Sequence, residues 1–268
     1  MHIEPYGTGS TAYLAIHGWA GSHRTFRHLA PHLPADAALY SVDLPGYGLS
    51  LRPVAWTLDS VADALVDTIN LVSNAPITLI GYCGGGNLAM MAARRAPERV
   101  ARLVLIDPFA YMPLYFKVFT WGEFGRRAYY STFANPLGRY FTNAALRGKR
   151  TANSNLTQSF ESVDHEFVLD VLRAFRAVPH WDSFSDLTLP VDLAHGDRSF
   201  AAIKKSVAIW KAVWPHAQVH PLAGAGHNPL IEAAEQVAAI AFGIPATHGS
   251  KTLADTPRDT VARRALSL

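Results

Sequence analysis

Short apolar runs of β-prone residues alternate with stretches of helical spacing along much of the chain. The strands predicted from these runs cover residues 12–16, 38–42, 77–80, 100–106, 189–194 and 217–222. The predicted helices cover about 23–33, 57–71, 84–95 and 230–241. Strands that are nearly continuous in apolar residues and alternate with helices indicate a mostly parallel sheet with helices on both faces. The pattern therefore predicts an α/β fold.

The alternation of strands and helices stops after residue 108 and resumes only near residue 189. This gap indicates a long insertion, helical in parts. The chain is thereby divided into a core of residues 1–108 and 186–243, a helical cap (lid) of residues 109–185, and a polar C-terminal tail of residues 244–268 with a short helix at 259–266.

The only cysteine, Cys83, lies between the predicted strand 77–80 and the helix that follows it. Gly81 and Gly85 flank it in a Gly-x-Cys-x-Gly pattern. At a sharp strand-to-helix turn, such glycines leave room for an exposed nucleophile, here sulfur in place of the usual serine oxygen. The N-terminus of the helix favours the thiolate over the thiol. A lone cysteine is more often an inert core residue, but a core residue needs no glycine on both sides. We therefore predict that Cys83 is a nucleophile.

A second loop is expected to stabilise the negative charge that develops on the substrate oxygen. The strand 12–16 runs into His17-Gly18-Trp19, where small residues let backbone N–H groups point at an oxyanion. The predicted donors are the N–H groups of Trp19 and Gly84.

Two further residues complete a candidate triad in the chain order nucleophile, acid, base. Asp197 and His227 each follow the carboxyl end of a predicted strand, where open parallel sheets place their active sites. We expect His227 to take the proton of Cys83 or to pair with its thiolate, and Asp197 to fix the imidazole tautomer. Asp107, at the end of the strand 100–106, is the alternative acid. Asp43 is interpreted as a structural carboxylate that holds its own turn.

These motifs together resemble the landmarks of the α/β-hydrolase superfamily over nearly the whole chain. The matching segments are His17-Gly18-Trp19, the turn 43–50, the Gly-x-Cys-x-Gly motif, His195-Gly196-Asp197 and Gly226-His227. The resemblance implies an α/β-hydrolase fold with a helical cap inserted after the sixth strand. Most lidded relatives carry serine as nucleophile, and dehalogenases carry aspartate. The segment 81–86 instead resembles the motifs of dienelactone hydrolases, which are smaller and lack such a cap, and of polyhydroxyalkanoate synthases, which are usually longer. A few thioesterases and acyltransferases of natural-product pathways also use cysteine on this fold.

The insertion is unusually aromatic, with 12 aromatic residues from Phe109 to Phe141. Ordinary packing onto the core accounts for some of them. Their density near a predicted nucleophile also indicates an apolar substrate pocket. The predicted pocket residues are Tyr82, Phe109, Tyr111, Tyr115, Phe116, Phe119 and Trp121.

Length and composition limit the class of protein and its expected location. The 268 residues suffice for one large domain with an insertion, and 49% hydrophobic with 17% charged residues fit an enzyme with a substantial core. A net charge of +3 with scattered basic residues does not favour nucleic acid. The single cysteine, the absence of a signal-peptide pattern and the lack of about 18 successive apolar residues predict no disulfide, no membrane span and a cytoplasmic location. We expect no cofactor and no metal ligand.

The densest basic groups have two interpretations. They comprise Arg94, Arg95, Arg99 and Arg102, and further along Arg147, Lys149 and Arg150. Solvated helix ends and loops are the favoured interpretation. The alternative is contact with the phosphates of coenzyme A or with an acyl carrier protein that delivers the substrate.

The leading functional hypothesis is an enzyme that forms an acyl-cysteine from a hydrophobic acyl thioester or ester. A thioesterase or acyltransferase is favoured, because exchange of one thiol for another is nearly isoenergetic. A lactone or ester hydrolase of the dienelactone-hydrolase type is an alternative. A non-catalytic binding protein on the same fold is another, although such proteins typically lose a triad residue and here all three positions are filled.

Overall fold

The protein is described by a computed structural model that covers residues 1–244. Its centre is a seven-stranded sheet in the order β1-β3-β2-β4-β5-β6-β7. The strands are β1 (His2–Tyr6), β2 (Thr11–Ile16), β3 (Ala37–Asp43), β4 (Ile77–Tyr82), β5 (Val100–Ile106), β6 (Val191–Gly196) and β7 (Gln218–Leu222). Strand β1 pairs antiparallel with β3, and the other neighbouring strands pair in parallel. The predicted α/β fold is confirmed.

Helices cover both faces of this sheet. The α-helices are α1 (Leu58–Val72), α2 (Gly84–Arg95), α3 (Leu114–Lys117), α4 (Gly122–Tyr129), α5 (Pro136–Ala145), α6 (His165–Ala174), α7 (Ala201–Val213), α8 (Pro229–Glu232) and α9 (Ala234–Phe242). The segment His23–His32 is a 3₁₀ helix that begins after the Ser22 N-cap and contains Pro31. The helix predicted at 230–241 is thus two short helices. Among the described residues, no helix has both the length and the apolar character needed to cross a bilayer.

The central strands bury both of their faces, which explains why they are apolar at nearly every position. Leu79 of β4 is fully buried in a cluster that also contains Leu65 of α1 and Leu88 of α2. Its neighbour Ile80 is fully buried in a second cluster, together with Val237 of α9. Successive side chains of a strand point to opposite faces, so one strand supplies both halves of the core.

The short strand β1 was not predicted from the sequence. It lies at the edge of the sheet, where His2, Glu4 and Pro5 are tolerated because one side of the strand has no neighbour. Its pairing with β3 gives the sheet its one antiparallel pair.

The segment between β5 and β6 contains α3 to α6 and shorter 3₁₀ and π turns, in agreement with a helical insertion. The insertion follows the fifth strand in the chain and not the sixth, because only β1 to β5 precede it. The boundaries at residues 109 and 185 stay a prediction. The predicted tail, apart from Ile244, and its helix at 259–266 lie outside the described residues.

Candidate active site

Cys83 occupies a strained turn between β4 and α2. Its φ of 54° and ψ of −121° lie outside the common regions for a residue with a side chain. A Cβ atom on Gly81 would lie 2.6 Å from the Cα of Gly86, and one on Gly85 would lie 2.2 Å from the carbonyl oxygen of Ile16. The two flanking glycines are therefore required by close backbone contacts, as the Gly-x-Cys-x-Gly pattern indicated. Strain of this kind persists at functional sites because the surrounding structure enforces it.

The loop after β2 packs directly against Cys83. A Cβ atom on Gly18 would lie 2.9 Å from the Cβ of Cys83, so only glycine fits this approach. The buried ring of His17 holds the loop: Nδ1 is 2.8 Å from the Gly18 carbonyl oxygen, and Nε2 accepts a hydrogen bond of 3.1 Å from the backbone N–H of Leu44. Burial lowers the pKa of His17 to about 4, so the ring stays neutral and Nε2 remains an acceptor.

The two residues predicted to supply the oxyanion donors, Trp19 and Gly84, border the same cavity as Cys83. Gly84 is the first residue of α2, and an N–H group at this position has no partner within the helix. Trp19 follows Gly18 in the loop, and its indole N–H donates to the carbonyl oxygen of Val168 at 2.8 Å. That bond anchors the Trp19 side chain to α6. The role of the two backbone N–H groups stays a prediction.

His227 is paired with Asp107 and not with the predicted Asp197. The Nδ1 atom of His227 lies 2.7 Å from Oδ2 of Asp107, whose side chain is fully buried. The prediction for Asp197 is wrong on this point. Asp197 is exposed, and its Oδ2 accepts a hydrogen bond of 3.0 Å from the N–H of Gly224. Asp107 follows β5, which lies beside the strand that precedes Cys83, and its side chain is buried there against the imidazole, whereas Asp197 is exposed.

The Asp107 carboxylate is held by two further donors. The hydroxyl of Ser199 donates to Oδ2 at 2.7 Å, and the N–H of Gly196 donates to Oδ1 at 3.1 Å. Ser199 is buried, and its Oγ is also 3.3 Å from Nδ1 of His227. A carboxylate fixed by three partners has little freedom to turn away from the imidazole.

The electrostatics of His227 favour its charged form. Burial alone would lower its pKa, but hydrogen bonds to Asp107 and Cys83, together with the negative charges of both groups, raise the pKa to about 10. Because Nδ1 is engaged by Asp107, Nε2 is the nitrogen left for Cys83. The arrangement can therefore hold an imidazolium between a carboxylate and a thiolate.

Several residues that hold the His227 loop were not found from the sequence. The N–H of His227 donates to the Lys149 carbonyl oxygen at 2.9 Å, and the Tyr82 hydroxyl donates to the His227 carbonyl oxygen at 2.5 Å. The carboxylate of Glu232 accepts from the N–H groups of both Gly226 and Thr151. These contacts join residues far apart in the chain, so no local sequence motif predicts them.

Two cavities meet at Cys83. The smaller one, of about 430 Å³, is bordered by Cys83, Gly84 and Trp19 and by apolar side chains of the helical insertion. The larger one, of about 1020 Å³, also reaches Cys83 and is bordered by His227 and by several polar residues. The predicted pocket residues divide between them: Phe109, Tyr111 and Trp121 line the smaller cavity, Tyr82, Tyr115 and Phe119 line the larger, and Phe116 lines both.

The first cluster of basic residues, from Arg94 to Arg102, makes ion pairs and hydrogen bonds within the protein. Arg95 pairs with Asp59 and Asp63, and Arg102 with Asp192. Arg94 pairs with Asp186, and Arg99 donates to Asn70 and to backbone carbonyls. In the second group, Arg150 donates to the carbonyl oxygens of Thr151 and Ser154, and Lys149 to that of Ser199. These bonds favour a structural interpretation for most of the two groups.

The site and the sheet define an α/β hydrolase. A family described as "alpha/beta hydrolase fold" matches residues 14–234, and the chain belongs to that family. It is an enzyme of the hydrolase class, with esterases and lipases among its relatives.

Individual relatives agree on this class. The chain is 26% identical over 245 residues to a pimeloyl-[acyl-carrier protein] methyl ester esterase of Salmonella agona. This alignment covers 85% of this chain and 91% of the esterase. It is 36% identical over 109 residues to lipase LipV of Mycobacterium tuberculosis. This alignment covers 40% of this chain and only 41% of LipV. A thermophilic esterase from Thermogutta terrifontis has the same fold, with a TM-score of 0.72 and 24% identity over 89% of this chain and 90% of the esterase.

Proposed function

We propose that the protein transfers acyl groups from hydrophobic thioesters or esters through an acyl-cysteine on Cys83. The observation that carries this proposal is the position of Cys83, which lies where two cavities meet and beside the His227–Asp107 pair. Asp107 takes the role that the sequence suggested for Asp197. His227 is the proton carrier, and the N–H groups of Trp19 and Gly84 receive the oxyanion.

The proposed reaction has two steps. The Cys83 thiolate attacks the acyl carbon, the bond from this carbon to the leaving oxygen or sulfur breaks, and His227 gives its Nε2 proton to the leaving group. Water or another acceptor then gives a proton to His227 and attacks the acyl-cysteine, which releases the acid or the transferred product and restores the thiolate–imidazolium pair.

The two cavities support separate places for the two halves of the proposed substrate. The leaving group must lie beside His227 to receive its proton, and His227 borders the larger cavity. The acyl chain then occupies the smaller cavity, whose walls include Phe109, Met112 and Leu172. Each methylene buried there contributes about 0.8 kcal/mol, so specificity rises about fourfold per carbon until the cavity is full.

Sulfur chemistry favours thioesters over unactivated esters. Attack by a thiolate on a thioester exchanges one thiol for another, whereas an ester must expel an alkoxide, which is a poorer leaving group. The larger cavity is also bordered by the exposed Arg24 and Arg27, whose charges suit the phosphates of coenzyme A or of a carrier protein's prosthetic group. The esterase of Salmonella agona is named for an acyl group attached to a carrier protein. This name supports delivery of the substrate by a carrier protein.

Mass spectrometry of the intact protein tests the proposal. After brief mixing with hexanoyl-coenzyme A, the wild-type protein should gain one hexanoyl group, located on the peptide that contains Cys83. Cys83→Ala should gain none and lose turnover, with unchanged circular dichroism. Cys83→Ser should retain slow ester hydrolysis if the oxyanion site accepts oxygen. Turnover of Cys83→Ala within tenfold of the wild type would reject the acyl-cysteine.

Two alternatives give different outcomes in the same experiment. A lactone or ester hydrolase would label with a lactone or methyl ester but not with the coenzyme A thioester. A non-catalytic binding protein would show neither acylation nor turnover, and its Cys83 would react slowly with a dilute electrophile at pH 6.

A further inference from the structure

Three potential metal ligands meet at the edge of the sheet, away from Cys83. His2 and Glu4 are two residues apart in β1, so their side chains lie on the same face of the strand. His23 is the first residue of the 3₁₀ helix that follows β2. One ligand atom from each of these three residues lies within 4.8 Å of the other two. No motif in the sequence indicates this cluster, because 19 positions separate Glu4 from His23.

The separations fit a small divalent cation better than a hydrogen-bonded pair. The Nε2 atom of His2 is buried and, within the described part of the chain, has no hydrogen-bond partner. It lies 3.6 Å from Oε2 of Glu4, which is too long for a hydrogen bond. Bonds of 2.0–2.2 Å at tetrahedral angles place two zinc ligands about 3.4 Å apart. The His2–Glu4 distance therefore matches two ligands of one metal. The ligand atoms of the cluster lie within 4.8 Å of one another, so the third ligand needs to approach by up to about 1.4 Å.

His23 has one ring nitrogen available for a metal ion. Its Nδ1 atom is 2.8 Å from Oδ2 of the buried Asp43, which leaves Nε2 as the free nitrogen. The backbone N–H of His23 donates to Oδ1 of Asp43 at 2.7 Å, and the N–H of Leu49 donates to Oδ2 at 2.8 Å. Histidines that bind a metal commonly donate their other N–H to a carboxylate, which fixes the tautomer and makes the metal-binding nitrogen more basic.

We propose that His2, Glu4 and His23 bind one divalent transition metal ion of the Zn²⁺ type, with water as the fourth ligand. Two imidazoles and one carboxylate form a donor set that suits Zn²⁺. The ion joins the edge strand β1 to the 3₁₀ helix and, through Asp43, to the turn 43–50. Since His23 also borders the larger cavity, the bound ion stabilises one wall of that cavity. This inference is independent of the proposed acyl transfer.

Zinc titration of the chelator-treated, untagged chain tests the site. Cys83 and His227 could bind Zn²⁺ themselves, so the titration is made on the wild type and on Cys83→Ala. We expect one Zn²⁺ per chain in Cys83→Ala and a higher unfolding temperature with Zn²⁺ than with chelator. His2→Gln and Glu4→Gln should each weaken binding by roughly tenfold or more. His216→Gln and Glu98→Gln remove the same groups from exposed positions, and should change the affinity less than twofold.

Replacement by Co²⁺ supplies a second readout that does not depend on activity. A four-coordinate Co²⁺ site absorbs strongly in the visible region, and this absorption should be present in Cys83→Ala and absent in His2→Gln. Unchanged zinc affinity in both His2→Gln and Glu4→Gln would overturn the proposal. Loss of all zinc binding in Cys83→Ala would assign the metal to the catalytic thiol and would overturn it as well.

Discussion

Asp107 and His227 are separated by 120 positions in the chain, yet Oδ2 of Asp107 lies 2.7 Å from Nδ1 of His227. Their pairing decides which carboxylate orients the imidazole. Asp197, the residue favoured by the sequence motif, faces solvent and instead accepts a hydrogen bond from its own surroundings at Gly224.

The first prediction compares these two carboxylates. Asp107→Asn should keep the shape of the site but favour the wrong imidazole tautomer, at a cost of up to about 10⁴ in kcat, as for serine triads. Asp197→Asn, the matched control, should retain kcat within about threefold, since it loses one exposed hydrogen bond. Steady-state kinetics on one thioester measure both. A larger loss in Asp197→Asn than in Asp107→Asn would contradict the assignment.

The second prediction concerns Ser199 as a positioning residue. Ser199→Ala removes the 2.7 Å hydrogen bond to Asp107, which corresponds to about 0.5–1.5 kcal/mol and therefore to about a 3- to 10-fold loss in kcat. Ser199→Thr keeps a hydroxyl and should recover part of the loss. KM should stay near the wild-type value, because Ser199 borders neither of the two cavities at Cys83. A change in KM with constant kcat would argue against a positioning role.

The third prediction separates the two cavities. Val178→Phe narrows the smaller cavity, so kcat/KM should fall by about fourfold for each methylene that no longer fits, with short acyl chains spared. Ser159→Phe narrows the larger cavity and should alter the preference for leaving groups at constant acyl length. The measurement is kcat/KM across acyl lengths and two leaving groups. If Ser159→Phe shortened the acyl preference instead, the two cavities would have to be exchanged.

The fourth prediction concerns the basic residues at the larger cavity. Reversing Arg24 and Arg27 to glutamate should raise KM for a coenzyme A thioester, and the effect should shrink at high salt. The same variant should hydrolyse a small uncharged thioester as the wild type does. Reversing the exposed Arg126 and Arg127 of the helical insertion to glutamate makes the same change in net charge away from both cavities and serves as the control. An equal effect in this control would point to net charge and not to a local contact.

The fifth prediction is a dependence of stability on pH. Burial holds the pKa of His17 at about 4, below its ordinary value of 6.5 in the unfolded chain. Between these values the unfolded chain binds a proton that the folded chain does not, so stability falls as the pH drops from 6.5 to 4. Through His17, the free energy of unfolding is lowered by about 3 kcal/mol once the pH has reached about 4.

Denaturant titrations at pH 7, 6 and 5 measure this loss, and an NMR titration of the His17 ring assigns it. The ring should remain neutral at pH 5.5 in the folded state. A ring that becomes charged near pH 6.5 would show that the hydrogen bond from the Leu44 N–H is not maintained.

The sequence by itself determined the class of fold and the position of the reactive residue. Strands such as β4 and β5 are apolar at almost every position because both of their faces are buried, so they were visible without a structure. The turn at Cys83 was visible because both required glycines lie two positions from the cysteine. Gly81 is required by the backbone of Gly86 and Gly85 by the backbone of Ile16.

Only the tertiary structure decided which side chains, distant in the chain, contact one another. Asp107 and Asp197 both follow a strand and carry the same side chain, so their sequences cannot tell which one meets His227. The packing of the folded chain decides this, because it buries Asp107 against His227 and leaves Asp197 exposed. The edge strand β1, the Glu232 contacts and the His2–Glu4–His23 cluster were also hidden, because they join side chains whose distance is set by the packing of the whole chain.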